Sequence, residues 1–266
     1  MQINRIQLPV TDDRLTTGFE ERHPGVKLRA AVVADLHDKP FERVLACLEQ
    51  DVPDVILIPG DLTEDMTAPP EEGEVRPGLE LLEACARLAP TFYSFGNHEE
   101  AACHANLRYM ESHPGEAMPV LDVWKQRVRA TGAVLLDESW TVYRGMVIGG
   151  IGSGLLRPNR VPDTSWIPTF CAVPGYKLLL CHHPEYFDRH LRPYPIDLIV
   201  SGHAHGGQWR VFGRGVFAPD QGLFPTYTEG VHEGRLVISR GVSNTVPGVP
   251  RFFNPTEIVM IELTDP

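Results

Sequence analysis

Five times along this chain a short run rich in Val, Ile, Leu or aromatic residues stops at a polar cluster. LRAAVVA ends in Asp35-Leu36-His37, DVILIP in Gly60-Asp61, TFYSF in Gly96-Asn97-His98-Glu99, KLLLC in His182-His183, and DLIV in Ser201 to His205. Apolar runs this short, bounded by Gly or Pro, read as buried strands. Helix-period segments alternate with them. PFERVLACLEQ places Phe41, Val44, Leu45 and Leu48 on one face, and further helices are expected from Gly78 to Leu88 and from Leu121 to Arg129. Alternating strands and helices predict an α/β sheet, in which ligands gather beyond the carboxyl ends of the strands. Each polar cluster sits at such an end.

After Ser139 the pattern changes to strands separated by Gly/Pro loops, with RLVISRG and TEIVMIEL reading as two closing strands. The acidic, Pro-rich TAPPEEGEVRP, Thr67 to Pro77, reads as a surface loop. A single domain over 1–266 is expected, because 42% hydrophobic residues suffice for one sizeable core. The excess of 35 acidic over 24 basic residues gives a formal charge of -11, which repels polyanions and argues against a nucleic-acid partner. Five cysteines without CxxC spacing suggest neither a disulfide framework nor a thiolate zinc site, so a reducing, cytoplasmic compartment is expected. No stretch approaches the ~20 apolar residues of a membrane span, which leaves peripheral contact with a membrane open.

Singly, each cluster is a weak signal. Together, Asp35, His37, Asp61, Asn97, His182, His203 and His205 offer seven ligating side chains without a thiolate. That donor set suits Mn, Fe or Zn. Two divalent ions about 3.5–4 Å apart, sharing one carboxylate, would use all seven and clamp an in-line displacement at phosphorus.

The order DLH, GD, GNHE, HHP, GHAH, running from Asp35 to His205, resembles the calcineurin-like metallophosphoesterase superfamily. The resemblance implies an αββα sandwich of two mixed sheets flanked by helices. It also implies that Asp35, His37 and His205 hold one metal, that Asn97, His182 and His203 hold the other, and that Asp61 bridges them. A metal-bridging hydroxide would attack a small phosphate mono- or diester in line, with His98 protonating the leaving oxygen. GHAHGGQ, followed by FAPDQG, YTEG, ISRG and PRFF, is similar to a bacterial branch that includes membrane-associated phosphoesterases and hydrolases of lipid A precursors. Those relatives commonly carry an N-terminal membrane segment, and MQINRIQLPVTDDR has no continuous apolar stretch, which argues against a membrane substrate.

Other residues divide less sharply. His182 fits the family's His-x-Pro position better than His183, which should face away if the strand continues. Glu99 is expected to support the site rather than ligate. Arg157, Arg240 and Arg251 are candidates for gripping phosphate oxygens, since a guanidinium fork matches that geometry. Phe95 stands where phosphoprotein phosphatases carry Arg, which argues against that branch. Glu64, three residues after Asp61, is either a partner of His98 or a solvated loop residue. His23, His104, His113, His190 and His232 read as ordinary polar histidines. The rival readings are a nuclease of the same superfamily and a non-catalytic scaffold. The scaffold is disfavoured by the complete ligand set and the nuclease by the acidic charge.

Overall fold

The computed structural model describes residues 1–10, 15, 18–19, 23–64, 76–100, 120–155, 161–244 and 249–266, with the backbone alone at 120–122. Arg157, His104, His113 and most of the acidic Pro-rich segment lie outside them.

Two six-stranded mixed sheets form the body. The first contains β1 (Gln2–Pro9), β2 (Val26–Val32), β3 (Val55–Ile58), β4 (Thr91–Tyr93), β5 (Val134–Leu135) and β16 (Glu257–Thr264), in the order β1-β16-β2-β3-β4-β5. The second contains β6 (Ser139–Tyr143), β7 (Met146–Ile151), β8 (Tyr176–Cys181), β9 (Leu198–Ser201), β14 (Gly230–His232) and β15 (Leu236–Ile238), in the order β14-β15-β9-β8-β7-β6. Two small hairpins, β10 (Arg210–Val211) with β11 (Arg214–Gly215) and β12 (Phe217–Ala218) with β13 (Gly222–Leu223), fill the connection after β9.

Side-chain alternation along the strands explains why the sheets stack. On β2, Ala30 and Val32 point into a core shared with Leu178, Leu180, Leu198 and Val200 of the second sheet. Their neighbours Ala31 and Val33 point the other way. There they meet Val44 and Leu48 of α1 (Glu42–Gln50), Leu81, Leu82 and Cys85 of α2 (Pro77–Leu88), and Trp124 and Val128 of α3 (Val120–Ala130). Beyond the second sheet a third apolar layer joins Val147, Leu179 and Ile199 to Ile167 and Phe170 of the short α4 (Ile167–Ala172). The architecture is therefore an αββα sandwich.

Two elements differ from expectation. The amino-terminal segment forms a full strand, β1, with Ile3 packed against the helix-side core and Ile6 and Leu8 against the core between the sheets. The TEIVMIEL strand closes no edge: β16 lies inside the first sheet, parallel to β1 and antiparallel to β2, whereas RLVISRG contributes β15 to the other sheet. Among the described residues no helix is long and apolar enough to cross a membrane.

Candidate metal centre

Strands β2, β3 and β4 run parallel, as do β8 and β9, so their carboxyl ends open onto one rim of the sandwich. Asp35 and His37 follow β2, Asp61 follows β3, Asn97 and His98 follow β4, His182 follows β8, and His203 and His205 follow β9. Five of these eight residues have left-handed backbones: Asp35 (φ 59°), His37 (53°), Asp61 (53°), His203 (66°) and His205 (47°). For a residue with a Cβ that conformation costs roughly 1–2 kcal/mol. The same conformation recurs at turns such as Glu138, Arg144 and Glu233, and on the rim the surrounding fold holds it at five residues that face one another.

Glycines let the loops approach. A Cβ on Gly96 would lie 2.1 Å from Asp61 Oδ1, and one on Gly202 would lie 2.8 Å from Asp35 Oδ2. Gly202 thus serves close packing against Asp35, and the turn itself is made by Gly206 and Gly207 (φ 65° and 78°).

Ligand atoms of Asp35, His37 and His205 lie within 4.8 Å of one another, and so do those of Asp61, His182 and His203. Asn97 joins the second group, its Oδ1 lying 3.0 Å from His182 Nε2. Asp61 stands between the groups: its Oδ2 is 3.0 Å from His182 Nε2 and 3.6 Å from His37 Nε2. Burial opposes the Asp61 charge, but His182, His37 and His98 outweigh it and hold this carboxyl well below the usual range.

The outer nitrogens of the histidines fix their tautomers. A carboxylate or carbonyl only accepts, so His37 Nδ1 donates to Glu64 Oε2 (2.7 Å) and His182 Nδ1 donates to Pro59 O (2.9 Å). His203 Nε2 likewise donates to Asp220 Oδ2 (3.0 Å), leaving Nδ1 as its lone-pair nitrogen. Partners of this kind orient metal-binding imidazoles. His182 has acceptors at both ends, because Nε2 faces Asp61 and Asn97. It needs a positive centre at Nε2, either a proton or a divalent cation. As a proton site it is strongly favoured: burial opposes the charge, yet Asp61 overrides it and raises the pKa to about 9. The residues present therefore fit a pair of divalent cations, with Asp61 shared.

His98 is more open, 36% exposed at its side chain, and stacks edge-on against His37 at 4.5 Å. Its backbone donates to Asp61 Oδ1 (3.0 Å). Glu64 lies in a loop and is half exposed, yet its carboxylate turns toward the site. Its shorter contact is to His37, and its Oε1 lies 3.6 Å from His98 Nδ1. Glu99 is fully buried and accepts from the backbone nitrogens of Asp61, Leu62, Thr63 and Gly96 and from the Tyr93 hydroxyl, tying the loops after β3 and β4 together. Asp35 is pinned in turn by His203 N on its Oδ1 and by the Ser243 hydroxyl on its carbonyl.

The arginines separate. Arg240 is engaged by Glu257 and Glu229 and serves the fold. Arg251 reaches the site, with Nη2 3.1 Å from His205 Nδ1. His183 lies outside both groups. The strand ends at Cys181, and the ring packs 4.1 Å from that of His203 with Nδ1 donating to Glu185 (3.1 Å). Burial, aided by His203, pushes its pKa down to about 4. Sequence reasoning missed Asp220 and Glu185 as partners. The signal for Asp220 was present in FAPDQG, where a carboxylate with a left-handed backbone (φ 57°) follows Pro219 in a tight turn.

The chain is similar to several known metallophosphoesterases. The chain is 26% identical over 191 residues to the zebrafish (Danio rerio) transmembrane protein with metallophosphoesterase domain, covering 68% of this chain and 41% of that one. It is 26% identical over 235 residues to an uncharacterized metallophosphoesterase of Campylobacter jejuni, covering 86% and 55%. It is 27% identical over 250 residues to the Escherichia coli phosphodiesterase YaeI, covering 87% and 80%. The chain thus spans about half the length of the first two. The profile of the calcineurin-like phosphoesterases matches residues 28–207, a stretch that holds every one of the converging side chains, and the chain belongs to that family.

Proposed function

We propose that this chain is a dinuclear metal-dependent phosphoesterase acting on small phosphate mono- or diesters. The observation that carries the reading is the place of Asp61, one carboxylate between two groups of imidazole and carboxylate donors. Asp35, His37 and His205 would hold one cation and Asn97, His182 and His203 the other, with Asp61 common to both. When bound, the two cations supply Lewis acidity: they lower the pKa of water and neutralise charge on the phosphoryl oxygens. Oxygen, imidazole and amide donors fit Mn, Fe or Zn.

The chain's own residues do the rest. Glu64 and Pro59 O fix the Nδ1 protons of His37 and His182 and turn their Nε2 lone pairs inward. Asp61 Oδ1 accepts from the His98 backbone and so holds that residue beside the shared carboxylate. The half-open His98 ring can deliver a proton to a leaving oxygen from the solvent side, the general-acid role that an imidazole commonly fills.

Metal analysis together with turnover on chromogenic mono- and diesters tests the reading. The wild type should bind two equivalents and turn over. Asp61→Asn should lose most bound metal and nearly all activity, because it weakens both sites at once. A purified Asp61→Asn protein with two metals and normal turnover would refute it.

A further inference from the structure

The exposed apolar surface of this protein is gathered on one face. Among the described residues every exposed phenylalanine, leucine and tryptophan lies between Trp209 and Phe224 or at Phe252 and Phe253; elsewhere the large apolar side chains left in solvent are valines and Met1. Phe212, Phe253, Phe224 and Leu223 are 101%, 88%, 73% and 71% exposed. The two stretches form one surface, because Trp209 bridges Phe252, its Nε1 donates to Pro250 O (2.9 Å), and Arg210 N donates to Phe252 O (3.0 Å). Val216 N donates to Trp209 O (2.9 Å) and Phe224 N to Val216 O (2.8 Å), which ties the second hairpin to the first.

The three most exposed phenylalanines stand where that residue is least expected. Phe212, Phe224 and Phe253 have left-handed backbones (φ 51°, 52° and 53°), a conformation that favours Gly or Asn. Phe212 and Gly213 (φ 77°) form the two-residue turn between β10 and β11, and turns with both central residues left-handed prefer Asn-Gly. Among the described residues neither local conformation nor burial accounts for these rings, which leaves contact outside the chain as what they serve.

The surroundings specify the kind of contact. Residues 208–217, 221–228 and 249–254 contain three arginines and no carboxylate, in a chain of net charge -11. The adjoining carboxylates are engaged elsewhere: Glu229 holds Arg210, and Asp220 turns to His203. Arg214 stays exposed beside the Phe212 turn. Apolar tips edged by cationic side chains match an anionic lipid interface, where rings enter the headgroup layer and arginines meet phosphates. A protein partner would need a pocket for each tip, whereas a fluid lipid layer admits them as they stand.

We propose that the two hairpins and the Phe252-Phe253 segment form a docking face for an anionic lipid surface. Asp220 and Arg251 belong to the same stretches of chain and reach His203 and His205, so docking sets the candidate centre beside the lipid headgroups. The contact itself requires no metal and is independent of the dinuclear reading.

Co-sedimentation of the full chain with vesicles of phosphatidylglycerol and phosphatidylcholine in equal parts, against vesicles of phosphatidylcholine alone, tests it. The wild type should bind the anionic vesicles more tightly. Phe212→Asn combined with Phe224→Asn suits both left-handed backbones and should weaken that binding by roughly 100-fold, about tenfold for each ring withdrawn from the lipid. Arg214→Gln should weaken it by roughly fivefold, the share of one basic residue near an anionic surface, and leave binding to phosphatidylcholine alone unchanged. No vesicle binding by the wild type, or binding by either variant equal to that of the wild type, would overturn the proposal. So would a wild-type dimer in analytical ultracentrifugation that the double Asn variant converts to monomer, since the face would then belong to a second copy of the chain.

Discussion

Replacing Glu99 by Gln preserves the size of the side chain and turns one acceptor oxygen into a donor. Glu99 Oε1 accepts from Leu62 N (2.8 Å), Thr63 N (3.1 Å) and the Tyr93 hydroxyl (2.8 Å), while Oε2 accepts from Asp61 N (3.0 Å) and Gly96 N (2.7 Å). If the amide nitrogen takes the Oε2 position, which disturbs fewest bonds, Asp61 N and Gly96 N both lose their acceptor. A buried donor left unpaired costs about 1–3 kcal/mol, so the two together cost about 2–6 kcal/mol. A smaller effect opposes this. Burial and the Asp61 charge already raise the Glu99 pKa, so removing the carboxylate relieves some repulsion. The net loss should fall in the lower half of the range, about 2–4 kcal/mol. Urea unfolding at neutral pH, after metal has been removed by a chelator, measures it without a contribution from bound ions. A change below about 1 kcal/mol at unchanged m-value would show that the loops after β3 and β4 do not depend on Glu99.

Chelator-stripped protein should also show two opposed pH limbs. The raised His182 pKa of about 9 contributes stability that is complete below the ordinary 6.5 and lost as pH rises through 9. The depressed His183 pKa of about 4 contributes stability that is present above 6.5 and lost as pH falls through 4. Denaturant midpoints across that range should therefore decline on both sides, and a flat alkaline side would contradict the His182–Asp61 pairing. Asp220→Ala should weaken cation binding by roughly 10–100-fold with little change in folding, since Asp220 is half exposed; calorimetric titration checks this, and an unchanged affinity would remove Asp220 from the site. His98→Ala should lower kcat by roughly 10²–10⁴-fold on esters with poor leaving groups and far less on nitrophenyl esters. Equal losses across leaving groups would deny His98 its role as acid.

The parts of this molecule legible in its sequence are those encoded locally. A buried strand that stops at a ligating side chain is written in consecutive residues, so the strand ends and the side chains that converge there can be read off directly. β1 is harder, because Ile3, Ile6 and Leu8 are interrupted by Asn4, Arg5 and Gln7 and the strand gains its partner only from Glu257–Thr264. The outer partners are harder still. Arg251 meets His205 across 46 positions, and Asp220 meets His203 from the turn between β12 and β13. Nothing in local propensity distinguishes Arg251 from Arg240, which stands near it and is absorbed by Glu257 and Glu229. The three-residue offset of Glu64 from Asp61 leaves both a partner of His98 and a solvated loop residue open. It cannot tell that the carboxylate reaches His37 at 2.7 Å in preference to His98 at 3.6 Å.

The position of β16 bears on how the protein is made. Within the first sheet β1 is hydrogen-bonded only to β16, and β2 meets β16 on one side and β3 on the other. While the ribosome has yet to extrude residues 257–264, two strands therefore present open edges to solvent or to a neighbouring nascent chain. The second sheet waits less, since β6, β7, β8 and β9 follow one another and pair in that order, with β14 and β15 added before β16 emerges. Synthesis thus delivers one sheet vectorially and holds the other unfinished until β16 emerges, a long-range closure of the kind that slows folding and exposes chains to aggregation. Fusing a bulky partner directly after Thr264 would strain this last step, and chaperone dependence during expression should rise with it.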